Sequence, residues 1–307
     1  MAAHKLVDYQ GNVLLQRKQA QGWAPAQPVR RRGLVVLSED RIEVKSSSEA
    51  LVRCGSRGNR LWSVELGGPY PISRGCGSDG VLRLARRTEG LPGGDNPAIP
   101  YLLEPRATTV AGAAVPVRWH PVAGVSGYQV WLVRPRDRRL LWGQRLSHAT
   151  QTLLPADLGL VPGESYLVVI EADDGSSSQL DGAADQLSFR MATTAERDRL
   201  SRQLAALPKG RLDPEAALLL QADVLRSNGF LAAAVSMLEE GMRRQRLSLP
   251  VLLDLGHLYS SVGLNDLATQ TYRLAATLAT SAGDADGLAE AQIGAERSLQ
   301  RMGGMAP

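Results

Sequence analysis

The sequence predicts a multidomain protein in which two all-β domains precede an all-α domain of helical repeats. Up to about residue 192, short segments of alternating apolar and polar residues are separated by Gly, Pro, Ser and Asp clusters, a pattern typical of strands and turns. After Met191 the apolar residues recur at helical spacing instead. A chain of 307 residues is also longer than one ordinary core requires, so two or three domains are expected.

The positive charge of the chain is concentrated in its first third. Lys and Arg total 35 against 31 Asp and Glu, a net charge of +4, whereas residues 1–100 alone carry a net charge of +6. The basic clusters are residues 30–32 and the set Arg53, Arg57 and Arg60. Nucleic-acid-binding proteins usually combine such charge with exposed aromatic residues or a groove-fitting helix, and the sequence indicates neither. We therefore expect solvated loops and no nucleic-acid partner.

Residues 5–95 are predicted to form the first domain, a small β barrel or sandwich. Segments 12–17, 41–45, 61–65 and 81–85 alternate as strands do, and tight turns separate them. No segment approaches the ~20 consecutive apolar residues of a membrane helix, so no transmembrane segment is predicted.

A stretch dense in Gly and Pro, residues 89–100, follows the first domain. Such a composition cannot sustain a helix or a central strand. It therefore predicts a linker and a domain boundary.

Residues 101–192 resemble a fibronectin type III domain. Segment 160–166, Leu-Val-Pro-Gly-Glu-Ser-Tyr, is similar to the corner where the Tyr hydroxyl of that fold bonds back to the turn. Trp119, followed nine positions later by Tyr128, resembles the buried aromatic pair of its B and C strands. The resemblance implies a β-sandwich and says almost nothing about function.

The first domain resembles the FecR-type β domain of bacterial envelope regulators. The resemblance rests on segment 11–17, Trp23 and segment 33–37 leading into Asp40, with Glu39 where the family pattern has Gly. The order of modules is similar to that of bacterial envelope proteins that join such a domain to fibronectin-like and tetratricopeptide segments.

Residues 193–303 are predicted to be helical. Thr193-Thr-Ala-Glu196 is a capping-box pattern that opens a connecting helix, and this helix is expected to stop at 208–210. Gly229 and Gly263 then lie 34 residues apart, the length of a tetratricopeptide unit. The second copy resembles that family closely, which implies pairs of helices that enclose a concave groove.

The terminal helix, 285–302, is expected to cap the repeats. Leu288, Ala291, Ala295, Leu299 and Met302 fall on one predicted apolar stripe. Because the last repeat needs a cover for its apolar face, this stripe would pack against it.

No catalytic constellation, metal site or cofactor motif is predicted. The four His residues lie far apart and in no metal-ligand spacing, and the sequence contains no P-loop, dinucleotide-binding or nucleophile-elbow motif. We therefore expect a protein that is not an enzyme.

Cys54 and Cys76 are either a disulfide or two free thiols. A pair within one small β domain favours the disulfide, which requires an oxidising compartment. Two Cys and no partner His exclude a complete zinc site. The disulfide favours a periplasmic or extracytoplasmic location. The N-terminus shows no signal peptide, which leaves a cytoplasmic location as the alternative.

The predicted binding surface is the groove of the repeats. In the repeat register its first-helix positions are Leu219, Asp223, Arg226, Leu253, His257 and Ser260, and Ile293, Arg297 and Arg301 on the terminal helix could extend it. A protein or peptide with acidic character could lie there. The alternatives are a solvated inner face or one covered by the chain's own fibronectin-like domain. Because Leu219 and Leu253 occupy key places, a carboxylate clamp for a free C-terminus is not expected.

The function predicted from these features is a non-enzymatic interaction or scaffold protein of the bacterial envelope. The alternative is a FecR-like regulator that senses a ligand or glycan through its first domain and relays the signal through the repeats. The sequence names neither the partner nor the oligomeric state.

Overall fold

The structure is a computed structural model that describes residues 3–19, 21–54, 61–77, 92–182, 187–208, 212–244 and 248–303. Strands occupy the chain up to Met191, and long helices follow from Thr194, so the predicted order of β and then α structure is confirmed. The predicted strand 81–85, Arg57, Arg60 and the predicted stop at 209–210 lie outside the described residues.

The chain divides into two compact units. The first comprises residues 1–86 with 207–221 and 249–251, and the second comprises residues 87–206, 222–248 and 252–307. The strands of 102–191 and most of the helices therefore share the second unit. The predicted boundaries at 101–192 and 193–303 remain predictions.

In its described residues, the first unit contains two four-stranded antiparallel sheets. The elements are β1 Ala3–Gln10, β2 Val13–Gln16, β3 Lys18–Gln19, β4 Gly22–Trp23, β5 Gln27–Pro28, β6 Leu34–Leu37, β7 Arg41–Val44, β8 Glu49–Arg53, β9 Leu61–Ser63, β10 Gly67–Pro71 and the short helix α1 Ser73–Cys76. The strand orders are β6-β1-β8-β9 and β10-β7-β2-β5, and β3 pairs with β4.

Alternation along these strands places one side of each in a shared core. Val13 and Leu15 of β2 and Ile42 and Val44 of β7 are buried, while the residues between them are partly exposed. This is the period-two pattern expected of a sheet with one buried face.

The basic run at 30–32 is exposed only at Arg30 and so departs from the predicted solvated loop. Arg32 donates to the carboxylate of Asp8 at 2.6 Å and lies 3.5 Å from both Asp213 and Glu215, in the segment 207–221 of the same unit. Arg31 is buried. The charge of Arg32 is therefore matched within the chain, which gives this residue an internal structural role.

The described part of the second unit begins with two sheets around one core. The strands are β11 Leu102–Glu104, β12 Thr109–Val110, β13 Val115–Trp119, β14 Gly127–Arg134, β15 Arg139–Ser147, β16 Gln151–Leu154, β17 Ser165–Ala172 and β18 Phe189–Met191. The strand orders are β11-β13-β16 and β12-β18-β17-β14-β15, and the pairing of β12 with β18 is parallel.

Aromatic residues fill the centre of this core. Trp119 contacts Tyr128 edge to face, with ring centroids 5.5 Å apart. The buried Tyr166 accepts a hydrogen bond from the backbone N–H of Val161 at 2.8 Å, so its hydroxyl is bonded back to the preceding turn. This is the bond expected of a tyrosine corner.

Among the residues that the structure describes, six helices follow: α2 Thr194–Ala205, α3 Pro214–Ser227, α4 Leu231–Arg244, α5 Leu249–Ser261, α6 Asn265–Ala282 and α7 Ala285–Gly303. The capping box at the start of α2 is confirmed, because Thr193 and Glu196 each accept a hydrogen bond from the other's backbone N–H. No helix within the described ranges combines the length and apolarity needed to cross a membrane.

The turns after α3 and α5 have the same geometry at a spacing of 34 residues. Gly229 and Gly263 have φ of +83° and +73°, a conformation that favours glycine at a helix C-terminus. The next residues repeat the same bond: Phe230 N–H donates to Leu225 O at 3.0 Å, and Leu264 N–H donates to Tyr259 O at 2.8 Å. The predicted register therefore corresponds to two equivalent turns.

The buried stripe of α7 differs from the predicted one. Its buried positions are Gly287, Ala291, Gly294 and Ser298, whereas Leu299 is 41% exposed. Only Ala291 belongs to both stripes. The reason is close packing against α6, since small residues let the two helix backbones approach each other.

Candidate functional site

The side chain of Arg106 joins the β-sheets of the second unit to the end of α5. It is completely buried, and it donates to Val262 O at 2.6 Å and to Gly263 O at 2.8 Å. Both carbonyls lie just beyond the C-terminus of α5, where no further helical N–H is available to bond them. The Arg106 side chain supplies the missing donor. The guanidinium therefore caps α5 from outside the helical segment.

Asp181 balances the charge of Arg106. Its Oδ2 lies 2.6 Å from Arg106 Nη1, and its Oδ1 accepts from Gly94 N–H at 3.0 Å. Burial lowers the pKa of the Arg106 guanidinium, and the Asp181 carboxylate opposes that shift. A buried charge needs such a partner, since its desolvation costs several kcal/mol, on the order of the net stability of a domain.

The equivalent turn at Gly229 is bound by the residues that follow Arg106. Thr109 N–H donates to Gly229 O at 2.9 Å, and Thr108 Oγ1 accepts from Ala232 N–H at 3.0 Å in the first turn of α4. Thr108 thus acts as an N-cap supplied by a distant part of the chain. One short segment therefore holds both repeat turns.

The described part of the Gly/Pro-rich stretch packs closely against the start of α6. Asn265 donates through Nδ2 to Gly93 O at 3.1 Å. A Cβ at Gly94 would lie 2.4 Å from Gly263 O, so only glycine permits this approach. Within the described residues 92–100, the predicted linker makes specific structural contacts.

A second polar network links the sheets to α4 and α5. Arg118 lies 2.8 Å from Glu104 and 3.0 Å from Glu239, which also accepts from the Tyr259 hydroxyl at 2.8 Å. Burial raises the pKa of Glu104, and Arg118 opposes the shift. This network and the Arg106 contacts together bond α4 and the C-terminal end of α5 to the β-sandwich.

Four of the predicted groove positions are occupied internally. Leu219 and Leu253 are each only 2% exposed. Asp223 is buried and accepts a hydrogen bond from Arg226, three residues later on the same helix. These side chains make contacts within the chain, and their predicted role in partner binding remains a prediction.

The other five predicted positions come together between α5 and α7. Arg301 donates to Ser260, and His257 Nε2 lies 3.9 Å from Glu290. Arg297 is exposed one turn before Arg301. We call the surface formed by His257, Ser260, Glu290, Ile293, Arg297 and Arg301 the α5–α7 face.

The floor of the α5–α7 face is the ring of Tyr272 from α6. A Cβ at Gly256 would lie 2.7 Å from this ring, and one at Gly294 would lie 2.5 Å from it, so two glycines form the slot that holds it. His257 meets the same ring edge to face at 5.5 Å. Burial raises the pKa of the Tyr272 hydroxyl well above its usual range, and Glu290 adds to the shift.

The α5–α7 face also presents an exposed apolar side chain. Ile293 is 47% exposed, and it lies four residues before Arg297, so the two form one ridge on α7. The side chain of His257 is 41% exposed. The arrangement can offer an apolar contact and cationic hydrogen-bond donors to a protein segment.

Cys54 and Cys76 form a disulfide, which is the favoured one of the two alternatives that the sequence leaves open. Sequence reasoning missed the buried His4, whose ring nitrogen and the two sulfur atoms all lie within 4.8 Å of one another. His4 precedes Cys54 by 50 residues, a separation that matches no metal-ligand motif. No local signal in the sequence could have found it.

Trp23, the aromatic residue of the FecR-type resemblance, is 40% exposed. Its ring lies 4.0 Å from Lys18 Nζ and 3.5 Å from the Arg41 guanidinium, as in cation–π contacts. A glycan that stacked on this ring would have to displace one of these cations. The sensing role of the first domain remains a prediction.

Comparison with known proteins does not place the chain in a family. No protein-family model matches the sequence, and no curated protein matches it. Among solved structures, the chain is similar to a beta-1,2-glucanase from Parabacteroides distasonis, with 10% sequence identity and a TM-score of 0.23. The similarity covers 98% of this chain and 49% of the glucanase, so this chain spans about half the length of the glucanase. At this TM-score the similarity carries no argument about fold or function.

Proposed function

We propose that the chain is a non-enzymatic interaction protein whose α5–α7 face binds an acidic segment of another protein. The observation that carries this proposal is the ridge of Ile293 and Arg297, which is exposed beside Arg301 and His257. Among the described residues, the β-sandwich contacts the turns at Gly229 and Gly263, while Ile293 is 47% exposed and Arg297 is exposed.

The chemistry of the ridge suggests the kind of segment it binds. Ile293, Arg297 and Arg301 recur every four residues, so they follow one side of α7. A guanidinium binds carboxylates with two parallel hydrogen bonds, and an exposed Ile gains free energy when a partner covers it. A short helix or extended segment with acidic residues beside an apolar one would match both features.

The buried contacts around Arg106 support a scaffold role. They join the sheets and the helices of the second unit, so a partner held on the α5–α7 face keeps a defined position relative to the β-sandwich. The bond of Tyr166 to its turn supports a fibronectin type III-like sandwich, and the equivalent turns at 229 and 263 support a tetratricopeptide-like pair. The disulfide is compatible with an extracytoplasmic location.

The proposal is tested with peptides selected from a random library on the whole protein. We expect the enriched sequences to be acidic with at least one apolar residue. An Ile293→Glu/Arg297→Glu variant should bind them at least ~10-fold more weakly, since the new negative charge at 293 and the reversed charge at 297 each oppose an acidic ligand by on the order of 1 kcal/mol. Isothermal titration calorimetry measures the difference.

The matched control is Arg273→Glu/Leu274→Glu on α6. Arg273 is exposed and Leu274 is 38% exposed, so this variant makes the same chemical change at another place on the helices. It should bind the peptides as the wild type does, and both variants should retain the wild-type circular dichroism spectrum. Equal binding by all three proteins, or enrichment of peptides with no acidic residues, would refute the proposed site.

A further inference from the structure

His4, Cys54 and Cys76 form a cluster of metal-ligating side chains in the core of the first unit. One atom from each residue lies within 4.8 Å of the others. Their exposures are 0%, 1% and 6%, so all three are shielded from solvent. The interaction proposed for the second unit makes no use of this cluster.

The sheet topology brings these three residues together. His4 is on β1, which pairs with β8 in a register that places Lys5 opposite Arg53, so Cys54 follows directly beyond the strand end. Cys76 is the last residue of α1, whose first residue, Ser73, donates its N–H to Ser38 O at 2.9 Å. The pairing of β1 with β8 therefore positions His4 and Cys54, and the hydrogen bond from Ser73 to Ser38 positions the helix that carries Cys76.

We propose that the reduced chain uses His4 and the thiolates of Cys54 and Cys76 to bind one thiophilic divalent cation, such as Zn²⁺. The disulfide and the metal site are then alternative states of the same two sulfur atoms. Imidazole nitrogen and thiolate sulfur are the ligands that Zn²⁺ prefers, at about 2.0–2.3 Å. Three protein ligands leave a fourth position that water or another small ligand can fill.

Charge neutrality suits this site to its buried position. Two thiolates and one divalent cation sum to zero, and a neutral His adds no charge. The surroundings include the buried Val52 and Ile72, and a net charge placed among such residues would be costly. In the same apolar surroundings, a thiolate without the cation, or the cation without the thiolates, would be an uncompensated buried charge.

The two states differ by a balanced reaction. A dithiol reductant supplies two electrons, the S–S bond breaks, and Cys54 and Cys76 become thiols while the reductant becomes a disulfide. Binding of the cation then releases the two thiol protons to solvent as two sulfur–metal bonds form. The cation binds without a change in its own oxidation state.

Ser38 is placed to orient the imidazole of His4. Its Oγ lies 2.8 Å from His4 Nε2 and 3.5 Å from Gly77 O. Hydrogen bonds to the imidazole of a ligating His hold it in position, and their loss typically weakens metal affinity by about 10- to 100-fold. Ser38 is therefore a positioning residue of the proposed site.

The consequence concerns stability in different compartments. The disulfide links the end of β8 to α1, and the metal would link the same two elements. The first unit would thus be cross-linked in an oxidising compartment by the disulfide and in a reducing one by the cation.

The experiment uses the whole protein, produced in a reducing cytosol and purified without oxygen so that both cysteines stay reduced. A chelator present during purification removes bound metal, and the chelator itself is removed before the titration. Cd²⁺ serves as the probe because thiolate–Cd²⁺ charge transfer absorbs in the ultraviolet. We expect one equivalent of Cd²⁺ to bind, with competition by Zn²⁺, and native mass spectrometry should show a single bound ion. The oxidised protein should bind none.

Three variants test the ligands. Cys54→Ser/Cys76→Ser should abolish the charge-transfer band, and Ser38→Ala should weaken binding by roughly 10-fold. The control is His148→Asn, which removes an exposed His elsewhere and should leave binding unchanged. If the reduced wild type shows no charge-transfer band and no bound ion, the proposal is overturned.

The role of His4 is tested in a way that does not depend on folding of a variant. A cadmium NMR spectrum of the reduced wild type distinguishes two sulfur ligands with nitrogen from two sulfur ligands with oxygen alone. A shift in the range of sulfur and nitrogen ligation supports the site. A shift characteristic of sulfur and oxygen ligands would exclude His4 and overturn the three-residue site. These results are independent of peptide binding to the α5–α7 face.

Discussion

The carboxylate of Asp181 lies 2.6 Å from the guanidinium of Arg106, and the two side chains are 1% and 0% exposed. This buried pair stands where the β-sandwich of the second unit meets the end of α5. Because Arg106 also donates to Leu102 O, Val262 O and Gly263 O, its loss would leave several buried acceptors without a donor.

Asp181→Ala is expected to lower the free energy of unfolding of the second unit by about 3–5 kcal/mol, because it leaves the Arg106 charge buried and uncompensated. Urea-induced unfolding measures the change. The control is Asp173→Ala, which removes a more exposed pair with Arg145 and should cost less than about 1 kcal/mol. Similar losses in both variants would mean that the buried pair has no special role.

Gly294→Ala is expected to destabilise the protein by about 1–2 kcal/mol, although alanine is the better helix former by about 1 kcal/mol. The reason is the Tyr272 ring, which would lie 2.5 Å from the new Cβ. Thermal or urea unfolding measures the effect. In a Tyr272→Ala background the same substitution should be neutral or stabilising. An equal loss in both backgrounds would contradict the proposed contact.

Stability should fall at acid pH partly through Glu196. Hydrogen bonds from Arg190 and from the backbone of Thr193 lower the pKa of Glu196 from 4.5 to about 2. Since the folded-state pKa is depressed, the stabilisation is present above pH 4.5 and is lost as the pH falls towards about 2.

The measurement compares the free energy of unfolding of the wild type and Glu196→Gln across this range of pH. The variant should be less stable than the wild type at neutral pH, and the difference should shrink as the pH falls. A difference that is the same at every pH would show that the Glu196 carboxylate does not contribute in this way.

Reduction of the Cys54–Cys76 disulfide should lower the free energy of unfolding of the first unit by about 3 kcal/mol when a chelator is present. The bond closes a loop with a sequence separation of 22 residues, and its loss frees the unfolded chain. Urea unfolding followed by tryptophan fluorescence measures the change. A Cys54→Ser/Cys76→Ser variant should match the reduced wild type and should not respond to reductant.

Features that depend on neighbouring residues could be predicted. The capping box joins Thr193 to Glu196 over three residues, and the glycines at 229 and 263 end helices because their own backbone conformation requires it. The bond of Tyr166 to Val161 spans five residues. In each case the residues that interact are close enough in the chain for their types and spacing to be informative.

The stripe of α7 could not be predicted in the same way. Helical spacing indicated Leu288 and Leu299, but burial selected Gly294 and Ser298 because α7 packs closely against Tyr272. Large apolar residues mark the buried face of a helix only where the neighbouring helix is far enough away to leave room for them. Here α6 lies so close to α7 that only small side chains fit between them.

Composition and local pattern were sufficient for the order of strands and helices, the start of α2 and the two equivalent turns. Tertiary packing selected the partners of Arg106, the neighbours of His4 and the members of the α5–α7 face. Arg106 is 75 residues from Asp181 and 156 from Val262, and His4 is 50 residues before Cys54. Long polar side chains can bond with any suitable group that the fold brings near them, so their partners follow from the folded arrangement of the whole chain.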